Sequence, residues 1–324
     1  MLHRGFCFYE TKLRKGKIVK NPISNLIQCF QFWRKMKQYP KLFSASDACM
    51  QLSRVLLPGR LNDNEAASGL KRSLVILDHH SKSETISKVH CKPLNIDFLW
   101  NGVVDNNLFF MAEQEFCIKN PHCYTTHPIL LHNTRQIIDI GACEGLFAFR
   151  MGRDLANVHT HCFEPNNQMA QLLEKGAELN QVSDSISVHC KALLDKSGFV
   201  KFAESNSPDA GIVVPTNAHD PEAVQCISLD AFCDENEIKL TKDDLIKIDA
   251  EGSDFDVLKG AEQILKTSRP QIAVTTYHKD EHAESIYQWL RDLDLGYHFR
   301  LKGFSFWTSK PRPVLLQAST LKKQ

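Results

Sequence analysis

The chain has no apolar run approaching the roughly 20 residues that span a bilayer. Its basic start, MLHRGFCFYETKLRKGKIVK, lacks the uninterrupted apolar stretch of a secretory signal. No C-x-x-C pair occurs: eleven cysteines stand singly along the sequence. That pattern disfavours a zinc site or a disulfide framework and predicts reduced thiols in a cytoplasm. Internal repeats and low-complexity tracts are missing too. So are the G-x-G-x-x-G of dinucleotide binders and the Gly-Lys-Ser/Thr of a P-loop. What is present is ordinary for a soluble globular protein: 324 residues, 43% hydrophobic, 24% charged, net charge +1. That length holds one large domain, or one domain with an appendage.

Acids are nearly absent from the start. Residues 1–41 carry ten Lys/Arg against the single acid Glu10, a net of +9, which leaves −8 for the remainder. Residues 1–68 read as a basic, mainly helical extension ending in the turn-rich PGRLNDNEAASG. Its stretch CFQFWRKMKQY (29–39) suits a helix packed on its own domain, with peripheral contact to an anionic partner or membrane surface as the alternative. Residues 69–135 read as a small β-rich segment, with strands in SLVILDHH, LNIDFLWNG and NNLFFMAEQEF and a hairpin signal at Asn101-Gly102.

From 136 to 324 the pattern alternates strand and helix. Strands are expected at 137–140, 158–163, 186–190, 245–249 and 271–276, with amphipathic helices after most of them. This predicts an α/β fold with a mostly parallel sheet covered on both faces. After 252 a helix is expected, with a capping-box-like Ser253/Asp256 start, apolar Phe255, Leu258, Ala261 and Leu265, and Pro270 as its stop. YHFRLKGFSFWTS and PRPVLLQAS then alternate as a C-terminal antiparallel hairpin.

The first of these strands runs into a turn, IIDIGACEG (137–145). A glycine turn between strand and helix holds a ligand at a sheet's switch point. Asp139 before the turn and Glu144 inside it would repel a pyrophosphate and tolerate a cation. S-adenosylmethionine, with a sulfonium, an ammonium and no phosphate, meets that requirement. Glu164 in CFEPN (162–166) ends the second strand, where an acid accepts from both ribose hydroxyls. Ala192 and Leu193, after the third strand, are placed to flank an adenine edge.

Residues 137–317 resemble the FkbM family of S-adenosylmethionine-dependent methyltransferases. The matching stretches are IIDIGACEGLFA, CFEPN, CISLDAF (226–232), LIKIDAEGSDFDVLKGAE (245–262) and PQIAVTTYHKDE (270–281), in the family's order. The resemblance implies a class I, Rossmann-like methyltransferase fold and transfer of a methyl group to a hydroxyl of a sugar, glycan, polyketide or related metabolite. On this reading Asp139, Gly141, Ala142, Glu144, Gly145, Glu164, Asn166, Ala192 and Leu193 surround the cofactor. Departures occur at Cys143-Glu144 (often Asn and an apolar residue), at Ser253-Asp254 (often His-Glu) and at Thr276 (often Glu). They are read as substrate divergence.

Methyl transfer from a sulfonium is an in-line displacement, so alignment and a base for the acceptor's proton are the main needs. Asp249 and Glu251 project to the same side if strand geometry continues, and His278 follows the neighbouring strand. These three are the catalytic candidates. No metal is assigned; a divalent metal on the paired acids is the less favoured alternative. DAEG stands where amino methyltransferases of bases carry Asn/Asp-Pro-Pro-Tyr, which favours a hydroxyl and disfavours nucleic acid as partner. Competing readings are methylation of a macromolecule, protein or RNA, and a non-catalytic scaffold. Asp78-His79-His80, the pair His159/His161, and Cys123 with His127 lack the further ligands that a metal site needs.

Overall fold

A computed structural model describes residues 22–39, 42–43, 73–79, 86–102, 104, 106–203, 212–305 and 312–322. Most of the basic extension, including PGRLNDNEAASG, and His80 therefore lie outside the described residues; what is described of the extension is mainly the helix α1 (Pro22–Gln38). None of the described helices is long and apolar enough to cross a membrane.

The framework is a seven-stranded mixed sheet. Its strands are β4 (Gln136–Ile140), β5 (His159–Phe163), β6 (Ile186–His189), β11 (Leu245–Ile248), β12 (Gln271–Thr275), β13 (His298–Phe304) and β14 (Pro313–Ser319). Their order is β13-β14-β12-β11-β4-β5-β6. β14 alone runs antiparallel to both its neighbours, and the other pairings are parallel. The sequence moves outward from β4 through β5 to β6, then returns to β11 on the other side of β4. That reversal places a crevice at the carboxyl ends of β4 and β11.

Helices cover both faces. On one face Ile138, Ile140, Ile246, Ile248, Ile272 and Val274 pack on α5 (Leu229–Glu235), α6 (Asp254–Lys259), α7 (Glu262–Ser268) and α8 (His282–Asp292). On the other, Ile137, Leu245 and Ala273 meet Phe147 and Met151 of α3 (Leu146–Asp154) and Tyr124. Strands buried on both faces explain the near-continuous apolar runs of β4 and β11. Four short strands, β7 (Ala192–Leu193), β8 (Gly198–Ala203), β9 (Ile212–Thr216) and β10 (Val224–Ile227), form a second sheet of order β7-β10-β8-β9.

The segment before the main sheet departs from expectation. β1 (Leu74–His79) and β3 (Ile96–Asn101) fall in two of the three expected strand stretches, and an unexpected strand, β2 (Ile86–Cys91), joins them in an antiparallel sheet, but NNLFFMAEQEF is α2 (Asn106–Phe116), not a strand. Buried Leu108, Phe109 and Ala112 recur at helical spacing, and the run Ala-Glu-Gln-Glu favours helix over the β preference of its aromatics. Asn101-Gly102 does not make the hairpin. The reversal between β2 and β3 falls at Lys92–Asn95, where Asn95 takes a left-handed φ of 52°.

This sheet packs on α4 (Asn167–Leu179): Val89, Phe98 and Trp100 share a core with Ala142, Phe149 and Leu173. The Asn180 side chain donates to Asp97 O (2.6 Å) and accepts from Asp97 N (3.0 Å), standing in for a neighbouring strand. The expected single helix after 252 is two short helices, α6 and α7, hinged at Gly260. A Cβ there would lie 2.0 Å from Leu194 O, so the glycine of VLKGA lets this corner touch the opposite loop. Ser253 makes no side-chain cap; Asp254, the first residue of α6, instead accepts from Ala250 N and Gly252 N and fastens the loop that precedes the helix.

Candidate active site

The turn after β4 is pinned on both sides. Gly141 N and Ala142 N both donate to Phe163 O of β5 (3.0 and 3.2 Å), and Asp249 N, just past β11, donates to Ile140 O (3.0 Å). Gly141 has φ 72°, and a Cβ on it would lie 1.9 Å from Asp249 O. Only glycine fits there, because two strand ends close on it. Gly145 then opens α3 as its N-cap.

Glu164 is held at the end of β5 by two backbone amides. Cys143 N donates to Oε2 (3.1 Å) and Asn166 N to Oε1 (2.9 Å). Asn166 itself caps α4, accepting from Met169 N (3.1 Å). Glu144 is buried beside it, and its Oε1 has no hydrogen-bond partner. Burial raises both carboxyls to about 7, the amide bonds to Glu164 opposing that rise and the Glu164 charge adding to it at Glu144.

Asp139 is fully buried and faces Lys247, its partner across the β4–β11 pair, with Nζ 2.8 Å from Oδ1. The same ammonium donates to Gly141 O (2.8 Å) and lies 5.2 Å from the Tyr124 ring centre. Asp139 is thus half of an internal ion pair, which the turn sequence alone does not disclose. Ala192 and Leu193 are buried and pair with β10 as a strand of the second sheet, instead of standing free at the end of β6.

The other cluster lies at the ends of β11 and β12 and brings Asp249, Glu251 and His278 together. His278 Nε2 is 3.6 Å from Asp249 Oδ1 and 3.4 Å from Glu251 Oε2. Nδ1 is 3.0 Å from Asp254 Oδ2. Asp254 is fully buried and also accepts from Ala250 N (2.9 Å), Gly252 N (3.0 Å) and Thr275 Oγ1 (2.8 Å). Burial by itself would lower the pKa of His278; the charges of Asp254, Glu251 and Asp249 and the hydrogen bond to Asp254 outweigh it and raise the pKa to about 10. Burial likewise opposes the charge on Asp254, and His278 nevertheless holds that carboxyl well below the usual range. Asp249 accepts from Tyr124 OH (2.7 Å) and lies 3.1 Å from the Thr275 hydroxyl.

Sequence reasoning missed Asp254, Lys247, Thr275 and Tyr124. Asp254 had a usable signal: it occupies the second position of the pair that is often His-Glu in the FkbM family. Tyr124 had none, since it sits 125 residues from Asp249. Among the described residues, the one grouping of three metal-ligating side chains is Asp249, Asp254 and His278. His161 Nδ1 and His189 Nε2 lie 3.3 Å apart on adjacent strands, both rings pushed down to about 4, chiefly by burial.

A model of the methyltransferase FkbM domain family matches residues 139–299. The chain carries an FkbM methyltransferase domain. No curated protein matches the chain. Among solved structures, methyltransferase FkbM from Methylobacillus flagellatus KT is 14% identical, with a TM-score of 0.44 over 79% of this chain and 58% of that one. The O-methyltransferase from Bacillus cereus in complex with SAH is also 14% identical, with a TM-score of 0.36 over 85% of this chain and 97% of that one. TomG from Streptomyces achromogenes, an O-methyltransferase involved in tomaymycin synthesis and solved with SAM, is 11% identical, with a TM-score of 0.35 over 58% and 74%. This chain therefore spans little more than half of the Methylobacillus protein.

The matched region starts at Asp139 and encloses both clusters, which lie at the carboxyl ends of β4 and β5 and of β11 and β12. A surface groove lined by His90, Asp97, Arg153 and Asn180 lies by the C-terminal ends of α3 and α4. That is the amino end of the parallel strands, the wrong end for a ligand site in this architecture.

Proposed function

We propose that this FkbM domain is an S-adenosylmethionine-dependent O-methyltransferase of class I fold, acting on a hydroxyl of a sugar, glycan, polyketide or related metabolite. The observation that carries the reading is Glu164, clamped by two amides at the end of β5 beside the buried, unpartnered Glu144 Oε1. A rigid carboxylate there suits a ribose diol, and a second buried carboxylate lacks only a positively charged or hydrogen-bond-donating ligand. These residues fit the cofactor. Gly141, Ala142, Gly145 and Asn166 complete the proposed cradle, with Asp139 behind it in its ion pair with Lys247.

When bound, the cofactor supplies an electrophilic methyl group on sulfonium. The chain's own task is to hold the acceptor oxygen in line and take its proton. His278, with its pKa near 10, is a cation at neutral pH and orients the site. The proton goes to the carboxylate pair, Asp249 or Glu251. Trp100 packs in one cluster with Ala142, which supports assigning the β1–β3 segment to the acceptor pocket.

Calorimetry tests this. Glu164→Ala should weaken S-adenosylmethionine binding by about 1 kcal/mol or more, the worth of the lost hydrogen bonds to a charged group. Unchanged affinity would overturn the assignment.

A further inference from the structure

The residues that follow α1 are fixed to the domain, while an apolar ridge on the helix itself faces solvent. Tyr39 and Leu42, just past the helix, are buried in the core. Phe43 stacks on Phe304 of β13 with ring centres 4.7 Å apart, and Leu301 N of the same edge strand donates to Leu42 O (2.9 Å). Upstream of that anchor, Ile27, Phe30 and Trp33 are 53, 60 and 50% exposed. They make up three of the eight large apolar side chains exposed among the described residues, and such side chains gathered on one element mark a contact surface. At 3.6 residues per turn they share an arc of about 120° with Arg34 and Lys37, which are exposed as well.

The charge around this ridge has one sign. α1 contains Arg34, Lys35 and Lys37 and no acid. Residues 1–21 carry six Lys/Arg against Glu10, so the sequence before the helix adds to that charge and does not neutralise it. The chain beyond residue 41 is net −8.

We propose that α1 docks the protein on an anionic lipid bilayer. Ile27, Phe30 and Trp33 enter the headgroup layer, and Arg34 and Lys37 pair with the lipids' phosphate and carboxylate groups. The negative charge of the rest of the chain is repelled by such a surface, so contact runs through the helix. This docking does not depend on the methyltransferase reading.

Nucleic acid also attracts basic, aromatic surfaces, but this ridge suits it less. Base stacking needs an open ring face. Trp33 is flanked by Phe30, ring centres 5.9 Å apart and 31° between planes, and by Lys37, whose Nζ stands 3.9 Å over the indole. An indole flanked in this way presents its edge, and an amphipathic ring edge-on suits the boundary between headgroups and acyl chains.

Co-sedimentation of the full chain with vesicles tests the proposal. The chain should sediment with vesicles of equimolar phosphatidylserine and phosphatidylcholine and stay in solution with phosphatidylcholine alone, and added salt should weaken binding. The double variants Phe30→Ser with Trp33→Ser, and Arg34→Gln with Lys37→Gln, should each weaken it about tenfold or more. Their circular dichroism should be unchanged, because all four side chains are exposed. Ile118→Ser, at an exposed apolar residue after α2, should bind as the wild type does. Brominated phosphatidylcholine in the anionic vesicles should quench tryptophan fluorescence in the wild type and not in Trp33→Phe. Sedimentation that does not depend on phosphatidylserine, or quenching that persists in Trp33→Phe, overturns the proposal. Two further results also overturn it, each in the absence of vesicle binding. Polyuridylate binding lost in the same double variants would assign the ridge to nucleic acid. A dimer that Phe30→Ser with Trp33→Ser dissociates, by sedimentation equilibrium, would assign it to a second copy of this chain.

Discussion

Gly141 and Glu164 show how tightly single residues are specified in this site. At Gly141 any side chain meets the Asp249 carbonyl, and the left-handed φ adds backbone strain. Gly141→Ala should therefore cost at least about 2 kcal/mol, seen as a lower urea midpoint at unchanged slope. Glu164 and Glu144 make a prediction of opposite character. With pKa values near 7 in the free protein, each is partly protonated at pH 6.5. A cationic ligand binds their charged forms better, so S-adenosylmethionine affinity should rise as pH increases from 6 to 8. Calorimetry in buffers of differing ionisation enthalpy should show proton release at pH 6.5. Proton uptake, or affinity flat across that range, would contradict the placement of these acids. Cys143 and Glu251, at φ 47° and 48° without being glycine, mark the same two loops as strained.

Between elements, buried polar residues do the joining. Arg150 of α3 reaches Glu115 of α2, donating to its carbonyl and lying 3.6 Å from its carboxylate, and it also donates to Thr125 (2.8 Å). Gln317 of β14 donates to Tyr124 O (2.8 Å), and Gln271 of β12 exchanges two 2.7 Å bonds with Leu130. The connector 117–135 is thereby stitched to the sheet, and Tyr124 is delivered to Asp249. Arg150→Met should destabilise by about 3 kcal/mol, because it strands a buried carboxylate, whereas adding Glu115→Leu should recover most of that loss. Equal destabilisation in single and double variants, by chemical denaturation, would show that the ion pair is not what joins α2 to α3. These joints were illegible in sequence: a glutamine inside an apolar strand reads as an interruption until its partner, more than a hundred residues away, is known.

Over the whole molecule, stability should pass through a maximum near neutral pH. His122, His161, His189 and His282 are held neutral by burial, at about 4 in the folded state against 6.5 unfolded. A lowered base contributes stability above pH 6.5 that is lost as pH falls toward 4. Four carboxyls raised by burial, Glu115, Asp139, Glu144 and Glu164, act oppositely, and Asp254, held low by His278, sides with the histidines. On the alkaline side His278, raised to about 10, contributes fully below pH 6.5 and loses that contribution as pH climbs through 10. Buried Cys91 and Cys233, raised to about 11 and 12 mainly by burial, add to the alkaline loss above pH 9. Thermal midpoints at pH 4.5, 7 and 10 should be highest at 7; a steady trend through all three would refute this balance.

The alternation of apolar strands with amphipathic helices, the glycine turn after β4 and the acid ending β5 are local patterns, so sequence alone determined the strand–helix alternation, the mostly parallel direction of the sheet, and the positions of the Gly141 turn and Glu164 at its carboxyl rim. The aromatic-rich run at 106–116 misled because burial of one helical face outweighed β propensity, and Asn101-Gly102 because the turn at 92–95 had already closed the hairpin. Tertiary structure alone decided that Lys247 neutralises Asp139, that Asp254 holds His278, and that Tyr124 reaches Asp249. Those contacts join residues whose separation along the chain is set by the folding of a parallel sheet, where neighbours in space are kept apart in sequence by an intervening helix.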